Sequence, residues 1–307
     1  MKPQDTPRRS LGGHVVEDGL SRAGYDVRSG RGLALVETTQ PRLEPFETVL
    51  AQNAWNVIPA GEFRRRLAEY PPRMRGRMLA RRTTAQLNLR RAKRVISLTE
   101  AMGTLCARLS RRVEVSPVTV PIDFLDETGE QLPKVKPGTL LVPGTVTWYK
   151  NPQAGLDLFE RHAAEAGWTQ VLFAGGDDGS GCWQAVETVA RSRGIAAERR
   201  RLSRDEMRGA CMTADAVVVP SKMESLSFSI AEALLLSSRV FASRIDAHVE
   251  IATRLRRAPV WLDGEAEQAA PGASAGDVSA GDWSHEWDLL GTALGLSRAG
   301  SQNGTVR

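Results

Sequence analysis

The chain has 307 residues, of which 41% are hydrophobic and 25% are charged, and its formal net charge is +5. This composition is ordinary for a folded globular protein and excludes collagen-like, coiled-coil and wholly disordered classes. The length predicts two domains of moderate size, each able to bury its own core. No apolar run reaches the roughly 18 residues that a membrane-spanning helix needs, and residues 1–10 lack the apolar stretch of a signal peptide. With three widely spaced cysteines and neither a disulfide framework nor a CxxC metal site, a cytoplasmic protein with reduced thiols is expected.

Charge is distributed unevenly along the chain. Residues 1–115 hold 22 basic and 11 acidic side chains, whereas the remainder holds 19 basic and 25 acidic ones. From Phe63 to Arg94 there are 12 basic side chains and one acidic one, Glu69. Such a segment attracts anionic lipid, nucleic acid or a charged substrate, or it is simply a solvated helical face. Nucleic acid is not expected, because Phe63 and Tyr70 are the segment's only aromatic residues and no binding module is recognisable.

The amino-terminal half begins with weak patterns. Leu11-Gly-Gly-His14 precedes a short helix expected to end near Gly24. The basic segment predicts one or two helices, interrupted by Pro71-Pro72, and Thr99 is the expected cap of a helix that runs to Leu109. Strands are predicted at residues 33–36, 48–51, 94–98 and 113–120.

The carboxy-terminal half alternates between short apolar runs and amphipathic stretches. Strands are predicted at residues 139–144, 171–174, 216–220 and 239–243. Helices are predicted at residues 152–166, 180–193, 203–213 and 224–236. Ser203 and Glu206 form a capping box, and Pro152 fits the first position of its helix. This βαβα order predicts an α/β protein with a doubly wound parallel sheet.

Composition shifts predict the domain boundaries. Residues 1–125 are expected to form an amino-terminal domain, and the polar stretch 126–138 is the expected connection. Residues 139–296 form the second domain, with a loose loop at 270–282 and a closing helix at 283–296. Residues 297–307 are expected to be a frayed tail.

Three segments are expected to carry the chemistry, because ligands of an open parallel sheet gather beyond the carboxyl ends of its strands. The turn after the strand at 139–144 carries Lys150. The next strand end contains Gly175, where backbone can approach a ligand closely. The third segment carries Glu224 and Glu232. No His, Cys and Asp cluster has metal-ligand spacing, so no metal site is expected.

The two glutamates are eight positions apart, with seven residues between them. If all were helical, roughly 800° of rotation would place both carboxylates on one face, about 12 Å apart. Backbone N–H groups from Ser225 to Ser227 would then offer an anion site at the start of the helix. From spacing alone, the commoner interpretation is an ordinary first-turn acid and a solvent-facing glutamate.

Taken together, these segments resemble the retaining, nucleotide-sugar-dependent glycosyltransferases of the two-domain GT-B fold, typified by sucrose and mannosyl transferases. The resemblance spans roughly residues 113–251, and along it the order of the segments, their spacing and their turn residues agree with the family pattern. The matching segments are Pro143–Pro152, Leu172–Asp177, Ala214–Ser221, Glu224–Ala233 and His248–Glu250. Weaker matches are Gln52-Asn53, Arg91–Glu100, Val118–Asp123 and Trp283–Trp287. The resemblance implies two Rossmann-like domains with parallel sheets.

The resemblance also implies roles for individual residues. Lys150 would neutralise the donor diphosphate, Glu224 would hold hydroxyls of the donor sugar, and Glu232 would accept hydrogen bonds from the ribose. Glu224 and Glu232 would be the two glutamates of the family's EX7E motif. Further donor-binding positions would be Gly144, Thr145, Gly175, Ser225, Leu226 and Ser227, together with Gly12 and Gly13 as a glycine loop. The implied activity is hexosyl transfer with retained configuration, from a nucleotide sugar to an unknown acceptor, without a bound metal or other cofactor.

Two departures from the family pattern keep a second interpretation open. The family usually has an arginine where this chain has Thr145, and the amino-terminal domain lacks one or two strand–helix units. The alternative is a catalytically inactive GT-B-like binding or scaffold protein. Peripheral contact with an anionic inner membrane face, through the segment from Phe63 to Arg94, is compatible with both.

Overall fold

The computed structural model describes residues 11–27, 32–35, 44–120, 132–262 and 281–299, without the side chains of 11–15 and 281–283. The chain forms two compact units. The first comprises Met1–Val57, Arg82–Asp126 and Ala280–Arg307, and the second comprises Ile58–Arg81 and Glu127–Ser279. This division differs from the expected one, since residues 58–81 belong to the second unit and residues 281–296 belong to the first.

Helices and strands alternate along the described residues. The helices are α1 Leu11–Arg22, α2 Ala60–Leu67, α3 Pro72–Arg91, α4 Glu100–Ala107, α5 Gln153–Ala166, α6 Cys182–Ser192, α7 Arg204–Thr213, α8 Phe228–Leu236, α9 Asp246–Leu255 and α10 Gly281–Ala293. The strands are β1 Tyr25–Asp26, β2 Leu33–Ala34, β3 Thr48–Ala51, β4 Arg94–Ser97, β5 Val113–Val115, β6 Thr139–Pro143, β7 Gln170–Ala174, β8 Ala197–Arg200, β9 Ala216–Val219, β10 Val240–Ala242, β11 Val260–Trp261 and β12 Ser297–Arg298.

The first unit contains a four-stranded parallel sheet in the order β2-β3-β4-β5. Thr99 caps α4 as predicted, because its hydroxyl accepts a hydrogen bond from the Met102 N–H at 3.1 Å. The side chain of Trp287 on α10 is fully buried and donates from Nε1 to the Val120 carbonyl at 3.0 Å. The tail prediction is wrong at its start, since β12 pairs antiparallel with β1. Residues 300–307 lie outside the described residues.

The second unit contains a six-stranded parallel sheet in the order β11-β10-β9-β6-β7-β8. If the strands β6 to β11 are renumbered 1 to 6, this is the doubly wound order 6-5-4-1-2-3. The direction of winding reverses between strands 1 and 4, which are β6 and β9. The fold class predicted from the sequence is therefore confirmed. The core under this sheet is built mainly of aliphatic and aromatic side chains, among them Leu140, Val142, Leu156, Trp168, Phe173 and Val218.

Local sequence signals set several of the second unit's boundaries. The predicted capping box at α7 is confirmed, with both Ser203 and Glu206 contributing side-chain hydrogen bonds. Gly167 ends α5 in the left-handed region at φ 70°. Pro152 occupies the cap position before α5 rather than its first turn. The strand β8 was missed because its sequence, AERR, is polar, and its last three residues are exposed at the edge of the sheet.

Candidate functional site

The candidate site lies in the second unit, at the edge where the parallel strands end. Because β6 and β9 are neighbours at the switch point, the loops that follow them separate towards opposite faces and leave a place for a ligand. Gly144 follows β6 at φ 101°, a conformation that favours glycine. Gly175 follows β7, and a Cβ there would lie 2.0 Å from the Gly144 carbonyl oxygen. Gly144 is thus required by its backbone conformation, and Gly175 is required by the close approach of two loops.

Lys150 and Glu224 form an ion pair at this edge. Lys150 ends a short 3-10 turn after β6, and Glu224 lies in the loop after β9. The Nζ and Oε1 atoms are 2.5 Å apart, and the side chains are 18% and 8% exposed. A Cβ on Gly144 would lie 3.9 Å from the same Nζ, so the ammonium sits over the glycine at the end of β6. Three residues predicted separately from the sequence are therefore neighbours.

The electrostatics of this pair favour a permanent positive charge on Lys150. Burial lowers the pKa of Lys150, but the Glu224 carboxylate opposes this and, with Tyr149, holds the pKa of Lys150 above its usual value. The site therefore holds a desolvated ammonium that, among the described residues, donates to one carboxylate oxygen of Glu224 and lies 5.8 Å from the centre of the Tyr149 ring. A ligand with several anionic oxygens could share this ammonium with Glu224.

The helix after Glu224 begins later than predicted. α8 starts at Phe228, so Glu224 precedes it by four residues and the two glutamates do not share one continuous helix. Ser225, Leu226 and Ser227 lead into its first turn, where the N–H groups of a helix have no intrahelical partner and the dipole favours anions. Ser227 is the cap residue but makes no capping side-chain hydrogen bond. Its buried hydroxyl has no hydrogen-bond partner among the described residues.

Glu232 is paired with an arginine that the sequence did not single out. It lies on α8 with a side chain only 6% exposed, and its Oε1 is 2.5 Å from Nη1 of Arg204. Arg204 is the first residue of α7 and is 37% exposed. Each of the two glutamates thus contacts a cation. Nothing in the spacing of Arg204 indicated this contact, because the strand β8 that leads to α7 was not recognised.

Helix α2 and the turn that follows it fasten the loops of the site within the same unit. The Tyr70 hydroxyl lies 2.8 Å from Oγ1 of Thr147 in the loop after β6. Arg66 donates to the Lys222 carbonyl at 3.0 Å, and Lys222 Nζ lies 3.1 Å from Glu69. Burial raises the pKa of Tyr70 well above its ordinary value, so its hydroxyl stays neutral. Part of the basic segment therefore shapes this site and is not simply a solvated face.

The remaining predicted positions are two glycines near the amino terminus and one threonine directly after Gly144. Gly12 and Gly13 lie in the first turn of α1, in the first unit, so they form the start of a helix and not the expected loop. Thr145 is half-buried in the loop after β6. Among the described residues, no group of three His, Cys, Asp or Glu side chains is placed to hold a metal ion. None of the described helices is long and apolar enough to cross a membrane.

His248 is a further residue at this edge that the sequence did not identify as part of the site. It lies on α9 and is fully buried. Burial lowers its pKa, against the opposing influence of the Glu224 carboxylate, and the charge of Lys150 lowers it further. His248 is therefore neutral and lies within the electrostatic field of the Lys150–Glu224 pair.

Comparison with known proteins shows likeness in structure alone. No family model matches the chain, and no curated protein matches it. A solved structure of the trehalose-6-phosphate synthase OtsA is similar with a TM-score of 0.50 at 14% identity, over 81% of this chain and 71% of that one. A sucrose-phosphate synthase from Thermosynechococcus elongatus gives 0.46 at 15% identity, over 81% and 65% of the two chains. The UDP-forming α,α-trehalose-phosphate synthase of Burkholderia vietnamiensis gives 0.45 at 11% identity, over 82% and 66%.

These three are structures of GT-B glycosyltransferases, and the OtsA structure, at a TM-score of 0.50 and 14% identity, shows the likeness in fold alone. The chain spans about two thirds of their length. The first unit's sheet has four strands over the described residues, which agrees with the reduced amino-terminal domain expected from the sequence.

Proposed function

We propose that this protein is a glycosyltransferase that transfers a hexosyl group from a nucleotide-diphosphate sugar to an acceptor, with retention of configuration. The observation that carries the proposal is the Lys150–Glu224 pair, 2.5 Å apart, at the switch point of a doubly wound sheet. The start of α8 follows Glu224 by four residues. A cation, a carboxylate and a helix N-terminus together suit a sugar linked to a diphosphate.

The chemistry divides between the two sides of the donor. Departure of the nucleoside diphosphate builds negative charge on the β-phosphate, which the Lys150 ammonium and the N–H groups at the start of α8 stabilise. Lys150 exchanges part of its contact with Glu224 for the phosphate oxygens. The Glu224 carboxylate then accepts hydrogen bonds from sugar hydroxyls and favours positive charge on the departing sugar.

Glu232 is assigned to the ribose. Its buried carboxylate pairs with Arg204, and carboxylate oxygens accept hydrogen bonds from hydroxyl groups. In this proposal the diphosphate charge is offset by Lys150 and the helix start, so a divalent metal is not required. Transfer that survives a chelator supports this part, and transfer abolished by a chelator and restored by Mg²⁺ or Mn²⁺ contradicts it.

The experiment that tests the activity measures release of nucleoside diphosphate from a panel of UDP-, GDP- and ADP-sugars. The native protein is expected to cleave at least one of them. Glu224→Gln is expected to lose at least a hundredfold in turnover with its fold intact, because the amide keeps the shape and removes the charge. Glu160→Gln, a change at an exposed glutamate of α5, is the matched control and should retain the native rate. Full activity of Glu224→Gln would refute the assigned role.

A non-catalytic GT-B-like binding protein is the second candidate, favoured by Thr145 in place of the family's arginine and by the small first sheet. It predicts nucleotide binding without turnover of any nucleotide sugar.

We also propose that this protein is cytoplasmic and contacts anionic membrane through the segment from Phe63 to Arg94. Leu79 on α3 is 54% exposed, and Arg73, Arg77 and Arg81 of the same helix are exposed as well. An apolar side chain among arginines suits an anionic lipid surface. Sedimentation with phosphatidylglycerol vesicles should be strong at low salt, weak at high salt and weakened by Leu79→Ser. Binding that is absent, or indifferent to salt, refutes this part.

A further inference from the structure

We propose that His248 and Ser243 are positioning residues that hold the Glu224 loop, residues 220–227, in the geometry that places Glu224 against Lys150. The relay runs from the imidazole of His248 to the backbone of Ser243, and from the Ser243 hydroxyl to the backbone of Ser221. The importance of this relay for catalysis rests on the proposed function, whereas the hydrogen bonds of the relay are independent of that function.

The first step of the relay fixes the tautomer of His248. Nδ1 of His248 lies 2.9 Å from the carbonyl oxygen of Ser243. A carbonyl oxygen only accepts hydrogen bonds, so Nδ1 must carry the proton and donate it. In the neutral ring Nε2 is then an acceptor, and it is buried without a hydrogen-bond partner among the described residues. The imidazole therefore acts on the protein through Nδ1.

The second step passes from Ser243 to the Glu224 loop. The Ser243 hydroxyl donates to the carbonyl oxygen of Ser221 in a buried hydrogen bond. The same hydroxyl lies 3.4 Å from Nδ1 of His248, so the ring and the hydroxyl are packed against each other. Ser221 is fully buried and precedes Glu224 by three residues. Ser243 thus anchors the first residues of the loop.

The next loop residue is tied to the turn that carries Lys150. The Lys222 N–H donates to the carbonyl of Tyr149 at 2.8 Å, and Tyr149 directly precedes Lys150. Ser243, which follows β10, thus fixes Ser221, and Tyr149, in the turn after β6, fixes Lys222. Glu224 is two residues further on, so its carboxylate reaches Nζ of Lys150 only while both anchors hold.

The test compares two amides at position 248 that differ in the ring nitrogen they replace. His248→Asn places an N–H near the position of Nδ1, whereas His248→Gln places its amide near Nε2 and lacks the first donor. The readout is the rate at which acetic anhydride labels Lys150, measured by mass spectrometry relative to Lys93, which is 58% exposed. The Lys150 ammonium is protected while Glu224 holds it, so a loosened loop exposes it to the reagent.

The relay predicts that His248→Gln raises Lys150 labelling about tenfold, the equivalent of one lost hydrogen bond, while His248→Asn stays within twofold of the native rate. Ser243→Ala should raise labelling as His248→Gln does, and it decides the case if the glutamine variant does not fold. Thr139→Val is the matched control, because it removes a hydroxyl at the opposite end of the strands of the same sheet. That hydroxyl donates to the Lys136 carbonyl at 2.6 Å and accepts from Gln170 Nε2 at 2.8 Å. Thr139→Val should leave labelling unchanged although it also lowers the melting temperature.

Labelling raised by His248→Asn but not by His248→Gln would overturn the relay, since Nε2 would then be the nitrogen that matters. Unchanged labelling in Ser243→Ala would overturn it as well. Neither result depends on a nucleotide, so a failure of the proposed function is recognised separately, by the absence of nucleotide binding in a protein whose Lys150 remains protected. Where transfer is observed, His248→Gln should lower kcat more than it raises KM, and His248→Asn should restore kcat.

Discussion

The Lys150–Glu224 pair predicts strongly non-additive effects of mutation on stability. Two unit charges 2.5 Å apart interact by about 7 kcal/mol at an effective dielectric constant of about 20. Much of this attraction offsets the cost of burying the two ions, so the pair adds little net stability. Removing one partner, however, leaves the other charge buried and uncompensated, at a cost of about 3–5 kcal/mol.

The perturbations are Lys150→Met, Glu224→Gln and the double variant. Lys150→Met should be the costlier single change, because it strands a carboxylate that is 8% exposed, whereas Glu224→Gln leaves an ammonium that is 18% exposed and can still donate to the amide oxygen. We expect losses of about 4 and about 3 kcal/mol for the single variants and at most about 1 kcal/mol for the double variant, because the intact pair adds little net stability.

The assay is urea unfolding of the four proteins, with the free energy of unfolding taken from each transition. The expected result is a double variant more stable than either single variant. Additive losses in the double variant would refute the reasoning, because they would mean that the two side chains do not share a buried contact.

Three further predictions concern the same unit. Gly175→Ala should abolish nucleotide binding and lower the melting temperature, because its Cβ would lie 2.0 Å from the backbone of Gly144. Gly209→Ala should lower the melting temperature alone, because its Cβ would lie 1.9 Å from the Pro133 carbonyl oxygen. Calorimetry measures the binding of both variants, and thermal unfolding measures their stability. Because the pKa of His248 is lowered in the folded state, the unfolded state binds the proton first as the pH falls. The free energy of unfolding should therefore decrease below about pH 6.5, by up to about 1.4 kcal/mol per pH unit more than in His248→Asn. Urea unfolding of both proteins at several pH values measures this difference. Ser203→Ala should cost about 1 kcal/mol in the same assay, through loss of the cap of α7.

The second unit could be predicted from the sequence because its signals are local. The strand β9 is a run of four buried residues, and the capping box of α7 is complete within four positions. The residues around Lys150 and Glu224 were predicted because strand ends in a parallel sheet meet at one edge. Their pairing follows from that topology and not from their 74-residue separation in sequence.

Other features depend on tertiary contacts that no local pattern encodes. Arg204 and His248 act through partners 28 and five residues away. Arg204 has no recognisable spacing signal, and the match at His248–Glu250 does not reveal which group His248 contacts. Residues 58–81 join the second unit through contacts such as that of Tyr70 with Thr147, which composition could not reveal. The start of α8 was placed too early because the sequence after Glu224 has helical periodicity, whereas Ser227 has the non-helical backbone of a cap.

The most direct test of the central claim is calorimetric titration of the native protein and Lys150→Met with UDP, GDP and ADP. The account predicts that the native protein binds at least one of these nucleotides and that Lys150→Met weakens the binding about 10- to 100-fold, the loss expected for one charge-assisted contact. Lys93→Met, at an exposed lysine of the first unit, should bind as the native protein does. No binding of any nucleotide, or equal binding by the native protein and Lys150→Met, would contradict the account.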